Sequence, residues 1–137
     1  MFRKVLLVDD DAMVITIYER LITVSGFASE VIAKNNGEQA KEFLLQNKPC
    51  LPDIIFVDLC MSVMDGPEFI RWFEEWQQKD NIQIPVYVLS SSMSAYDYNL
   101  ISKSRISGFI VKPLTARYLK EITAKHLNKS QHFLKLC

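Results

Sequence analysis

An excess of either positive or negative charge is what this sequence lacks. Its 16 basic residues cancel 16 acidic ones, the formal net charge is zero, and the isoelectric point is near 6.7. No global field draws the chain to nucleic acid or to a membrane surface, which argues against direct nucleic-acid binding. Cysteine is scarce too. Cys50, Cys60 and Cys137 are odd in number and have neither framework nor metal-ligand spacing. They read as free thiols in a reducing compartment, and the expected location is the cytoplasm. Long apolar runs are also missing. The stretch at residues 5–8 is too short for a signal peptide and runs into three aspartates. Nothing reaches the length of a membrane-spanning helix, so no membrane partner is expected.

What is present suffices for one core. Hydrophobic residues make up 49% and aromatics 11% of 137 residues, the size of a single domain. The expected division is a domain over 1–128 and a peripheral tail over 129–137. Val5, Leu6, Leu7 and Val8 form a short continuous apolar run, the pattern of a strand buried on both faces. Apolar residues then recur with helical spacing at Val14, Ile17, Tyr18 and Leu21, and Gly26 ends the segment. A second strand is expected over 27–32, a second helix over 37–46, and a third strand over 54–57. Met64, Asp65, Gly66 and Pro67 are turn chemistry, with Pro67 placed to open a helix carrying Phe69, Ile70, Phe73 and Trp76 on one side. A polar connector over 78–84 leads to a fourth strand over 85–89. Serine and asparagine make a helix over 96–103 a weak one. The fifth strand is 108–111 and the last helix 114–127. Strands alternating with helices five times imply an open parallel α/β sheet covered on both faces, with right-handed crossovers.

In such sheets ligands bind beyond the carboxyl ends of the strands. There the chain supplies Asp9, Asp10 and Asp11 after the first strand, Asp58 and then Cys60 after the third, Ser90, Ser91 and Ser92 after the fourth, and Lys112 and Pro113 after the fifth. Clustered carboxylates repel unless a cation sits among them. Hard oxygen donors suit magnesium, which takes few protein ligands, and Asp9, Asp10 and Asp58 can supply them. A carboxylate beside a cation can also attack phosphorus to give an aspartyl phosphate, with Lys112 meeting the developing charge and Ser90 donating to the attached group. Each residue has a plain structural explanation as well. Aspartates after a strand commonly cap the next helix, serines make polar loops, a lysine before proline ends a strand, and Phe109 is ordinarily core. What outweighs these is the convergence of complementary groups from four strand ends.

The segments VLLVDDD at 5–11, IIFVDL at 54–59, MDGP at 64–67, PVYVLS at 85–90 and GFIVKP at 108–113 resemble the signature set of response-regulator receiver domains, in order and at its approximate spacing. The match covers about residues 3–127. The resemblance implies a flavodoxin-like (βα)5 three-layer sandwich with strand order 2-1-3-4-5. It makes Asp58 the phosphoacceptor and Asp9 and Asp10 the acidic pair holding magnesium, for which manganese can substitute. It adds the backbone carbonyl of Cys60 as a metal ligand, Ser90 as the switch hydroxyl, Phe109 as the rotating aromatic, Lys112 as the lysine at the phosphoryl group, and a cis Lys112–Pro113 bond. The implied function is a phosphoacceptor response regulator of a two-component or phosphorelay system that signals through protein contacts. The implied phosphodonor is a sensor histidine kinase or a histidine phosphotransfer protein, and the output is a downstream protein target. A phosphorylation-dependent homodimer through the fourth and fifth helices is a further expectation. With no fused effector domain, the chain resembles standalone regulators. It is not expected to be an enzyme beyond catalysing its own phosphorylation and dephosphorylation.

Some positions depart from the family pattern. Ser62 stands where many members carry proline, which changes loop rigidity more than chemistry. Cys60 and Ser92 hold the positions two past the phosphoacceptor and the switch residue, which in the family tune autodephosphorylation. Met13 and Ile15, off the expected core stripe, are candidate phosphodonor contacts, and Tyr96, Tyr98 and Tyr118 candidate output contacts. The alternative function is a pseudo-receiver interaction module not controlled by phosphorylation, although no acidic or acceptor residue is missing. A flavin binder would need a Ser/Thr/Gly-rich first loop where three aspartates stand. A metal-dependent phosphatase would need a second carboxylate where Cys60 stands.

Overall fold

The apolar runs at residues 5–8 and 54–57 become strands that hide both faces, with every one of these eight residues 0% exposed. A computed structural model of the chain describes residues 1–91, 94, 98, 99 and 102–127, the last for its backbone alone. Strands β1 (Phe2–Val8), β2 (Ala28–Lys34), β3 (Ile54–Asp58), β4 (Val86–Ser90) and β5 (Gly108–Val111) pair in parallel in the order 2-1-3-4-5, as expected. Among the described residues, helices α1 (Ala12–Val24), α2 (Gly37–Gln46) and α3 (Gly66–Asp80) make crossovers, and α4 (Ala116–Leu127) follows the last strand. The expected helix over 96–103 falls partly outside the described residues, as do Tyr96, Ser92, Cys137 and the tail over 129–137; Tyr98, Asn99 and Ser102 within it are helical.

Strand pleating divides the core into two layers. Leu6, Val8, Ile55, Val57, Val86 and Val88 face α2 and α3, meeting Leu44, Phe69, Phe73 and Trp76. Val5, Leu7, Ile54, Phe56, Leu89 and Ile110 face α1 and α4, meeting Ile15, Tyr18, Ile22, Leu119 and Ile122. The sheet is thus the middle of three layers, and its carboxyl edge is left open at one end.

Two expectations about α1 are corrected. Ile15, expected at the surface, is 7% exposed in the core, while Ile17, expected in the core, is 56% exposed. The buried stripe runs Ile15, Tyr18, Ile22, with Val14 and Leu21 flanking it, so the helix is rotated relative to the 14/17/18/21 reading. Met13, Ile17 and Val24, four and seven residues apart in sequence, share the outer face instead. α3 is longer than expected, taking in the first three residues of the expected 78–84 connector and ending at Asp80. Glutamine and lysine are good helix formers whatever their polarity, and left-handed Asn81 (φ 54) closes the helix with its N–H on the Gln77 carbonyl. α4 begins at Ala116 rather than at Leu114, because the Thr115 hydroxyl accepts the Tyr118 N–H and caps the first turn.

Phe56 stands at the centre of the α1/α4 layer, with ring centroids of Phe27 and Tyr87 at 5.9 and 6.0 Å. Phe56→Ala is expected to lower the free energy of urea unfolding by about 3–5 kcal/mol with an unchanged denaturant slope. A loss below about 1 kcal/mol would show that the layer collapses around the gap.

Candidate functional site

Three aspartates follow β1, and each is used differently. Asp11 is the plain helix cap: its backbone is extended and its Oδ1 accepts the N–H of Met13 at 3.0 Å and of Val14 at 3.3 Å. Asp9, only 1% exposed, accepts the Asp11 N–H on Oδ1 at 2.9 Å and faces Lys112 with Oδ2. Asp10 is exposed. The capping explanation therefore accounts for one of the three and leaves the other two to the strand-end cleft.

Register brings the remaining groups together. Val8 pairs with Val57, so Asp9 and Asp58 leave adjacent strands side by side. Asp58 is the last residue of β3 and 6% exposed. The loop beyond it is held close by Gly66, whose N–H donates to the Leu59 carbonyl at 3.1 Å. A Cβ on Gly66 would stand 2.7 Å from the Asp58 carbonyl oxygen and from Leu59 Cα, so only glycine lets α3 start against the strand end. The Lys112 N–H donates to the Ser90 carbonyl at 2.8 Å, extending the ladder one residue past β5. The Lys112–Pro113 peptide is cis, as expected. The Lys112 ammonium reaches Asp9 Oδ2 and Asp58 Oδ1, both at 3.1 Å.

Ser90 ends β4 and is 3% exposed. Val88 pairs with Phe109, and Ser90 lies two residues beyond Val88, so Ser90 and Phe109 share the α3 face of the sheet. Phe109 is half-buried there against the core. Cys60 is exposed beside the cleft, its backbone N–H hydrogen-bonded to the Asp58 carboxylate, and neither Cys60 nor Cys50 is in a disulfide. Of the tyrosines, Tyr98 is 63% exposed, whereas Tyr118 is half-buried against the α1/α4 layer. Helical spacing puts Tyr18 in the core, where it lies; its hydroxyl accepts the Leu114 N–H, a bond whose one trace in the sequence is a polar tip on an apolar stripe.

Burial pushes the Asp58 carboxyl above its ordinary value, Asp9 pushes it further, and the attraction of Lys112 only partly offsets them. Burial alone would lower the Lys112 pKa, but Asp58 and Asp9 together outweigh it and hold the ammonium above its usual range. The attraction prevails for the lysine and not for Asp58 because one cation is shared between two carboxylates. Oxygens of Asp9, Asp10 and Asp58 lie within 4.8 Å of one another, two of the three residues buried. Hard anionic donors short of positive charge fit a divalent cation such as magnesium, which neutralises carboxylates and keeps several waters. The donor set fits.

The model of the response regulator receiver domain matches residues 5–124. This chain belongs to that family. The two-component response regulator of Cytophaga hutchinsonii shares the fold with a TM-score of 0.83 and 29% identity, over 93% of this chain and 98% of that one. The transcriptional regulatory protein PrrA of Mycobacterium tuberculosis is 33% identical over 122 residues, 89% of this chain and 47% of PrrA. The chain spans about half the length of such curated relatives. The receiver domain of the Arabidopsis thaliana histidine kinase CKI1, crystallised with Mg2+ and BeF3−, has a TM-score of 0.77 at 23% identity over 89% of this chain and 90% of that one, a likeness of fold alone. No helix among the described residues of this receiver domain is long and apolar enough to cross a membrane.

A carboxyl whose folded-state pKa is raised stabilises the fold while protonated, and that contribution is lost as pH rises from its ordinary value of 3.8 through the raised one. Without metal, Asp58→Asn is therefore expected to melt above the native protein at pH 7, the gap closing toward pH 4. A native protein that melts at or above the variant at pH 7 in EDTA would contradict this electrostatic reading.

Proposed function

We propose that this receiver domain is a phosphoacceptor of a two-component or phosphorelay system, modified on Asp58 in a magnesium-dependent reaction. The observation that carries the proposal is a buried strand-end carboxylate sharing one ammonium with a second carboxylate, with a third nearby. An oxygen of Asp58 attacks the phosphorus of an acyl phosphate or a phosphohistidine. The bond from phosphorus to the donor breaks, the donor leaves with the electron pair, and a mixed anhydride forms on Asp58. Hydrolysis reverses the state: water attacks phosphorus, inorganic phosphate departs, and the carboxylate returns.

Lys112 meets the charge that develops on the phosphoryl oxygens. Asp9, Asp10, Asp58 and the backbone carbonyl of Cys60 would hold magnesium or manganese. When bound, the cation would neutralise the carboxylates and the incoming phosphoryl oxygens. The Ser90 hydroxyl donates to the attached group, and Phe109, on the same sheet face, fills the space Ser90 leaves. The response is a shift between two packings of one fold. A sensor histidine kinase or a histidine phosphotransfer protein docks on the outer face of α1 at Met13 and Ile17, and a downstream protein or a second copy at exposed apolar groups such as Tyr98 and Val111. We place the chain in the cytoplasm and assign it no catalysis beyond its own phosphorylation and dephosphorylation.

Acetyl phosphate with magnesium is expected to add one phosphoryl group to the native protein, read by intact mass, and none to Asp58→Asn. Lys112→Ala is expected to keep magnesium binding and to be labelled about 100-fold more slowly. Labelling of Asp58→Asn at the native rate would sink the assignment, and an unchanged rate in Lys112→Ala would remove the lysine from the reaction.

A further inference from the structure

The loop from β5 to α4 carries Lys112 and is fastened on either side of Pro113. On one side the Lys112 N–H is bonded to the Ser90 carbonyl, the last rung of the sheet. On the other, Thr115 caps α4. Pro113 has no N–H to give. Leu114 lies past the sheet and before the helix, so neither offers its N–H an acceptor. Leu114 is 4% exposed, and a buried N–H without a partner is costly. Its acceptor is the hydroxyl of Tyr18 on α1, at 3.2 Å.

Tyr18 is itself 4% exposed, in the apolar layer that includes Leu89, Ile110, Leu114 and Leu119. A phenylalanine ring would fill that place equally well, so the hydroxyl is surplus to packing. Lysine is a flexible four-carbon stem, and where its ammonium reaches depends on where its backbone is pinned. The Lys112 ammonium is 3.1 Å from both Asp9 and Asp58, a balance that a shift of about 1 Å in the loop would break.

We infer that Tyr18 is a positioning residue for phosphoryl transfer: its hydroxyl holds the 112–115 loop so that the Lys112 ammonium stands between Asp9 and Asp58. Tyr18 has this role only if Asp58 accepts the phosphoryl group as proposed above. The carboxylates that would hold the cation stand at the ends of β1 and β3 rather than on this loop, so a small displacement of the ammonium is expected to alter the transfer rate more than magnesium affinity.

The test measures magnesium dissociation constants and acetyl phosphate labelling rates for the native protein, Tyr18→Phe, Lys112→Ala and the double variant. Tyr18→Phe is expected to bind magnesium within about twofold of native and to be labelled about fivefold to tenfold more slowly. In the Lys112→Ala background the same substitution is expected to change the rate by less than about twofold, because Tyr18 acts through the ammonium. A native rate in Tyr18→Phe overturns the inference. So does equal slowing in both backgrounds, a matching loss of magnesium affinity, or a Tyr18→Phe chain that is unfolded at assay temperature, since each makes the hydroxyl a structural or metal-site group. A native protein that takes no label overturns the phosphoacceptor reading of Asp58 instead, and the role of Tyr18 falls with it.

Discussion

One ammonium between two buried carboxylates is the interaction on which the rest depends. Lys112 stands 3.1 Å from both Asp9 and Asp58, and the three come from the ends of three different strands. Attraction satisfies the lysine but leaves Asp58 with its pKa raised, since burial and Asp9 outweigh a shared partner. The cleft is therefore built short of positive charge. That shortage costs stability, and a divalent cation with the proposed phosphoryl group would be the charge that relieves it.

The fold exists to hold that imbalance in place. Parallel pairing in the order 2-1-3-4-5 puts β1 and β3 side by side and brings β4 and β5 up beside them, so that Asp9, Asp58, Ser90 and Lys112 leave one edge. Close backbone approaches finish the arrangement: Gly66 presses α3 against the end of β3, and the Gly37 N–H at the start of α2 donates to the Met64 carbonyl at 3.1 Å, tying the same loop from the other side. Apolar layers on both sheet faces make these positions rigid.

Most of the architecture was legible because buried parallel strands read as continuous apolar runs, and 5–8 and 54–57 are such runs. Helix phase was less legible. With apolar residues at Met13, Val14, Ile15, Ile17 and Tyr18, α1 offers several overlapping stripes, and only packing into the α1/α4 layer selects the one through Ile15. The end of α3 is hard to read for another reason: its polar residues resemble a connector, although Gln77, Gln78 and Lys79 favour helix. The strand-end rule puts Asp9, Asp58, Ser90 and Lys112 at one edge of the sheet, where they lie, since position along a strand is visible in sequence. The division of labour among Asp9, Asp10 and Asp11 was not visible, because three identical side chains differ only in backbone geometry. The Tyr18 hydroxyl was hidden for a related reason: its partner is a backbone N–H 96 residues away.

Chemistry on the Asp58 carboxyl is read directly by borohydride, which reduces an acyl phosphate to an alcohol and leaves a phosphoserine intact. Protein labelled with acetyl phosphate, reduced and digested, should carry the reduced side chain at Asp58 alone, and at a yield that falls with omission of magnesium. Reduction at Asp9 or Asp10, or a borohydride-stable phosphate on Ser90, would contradict the account.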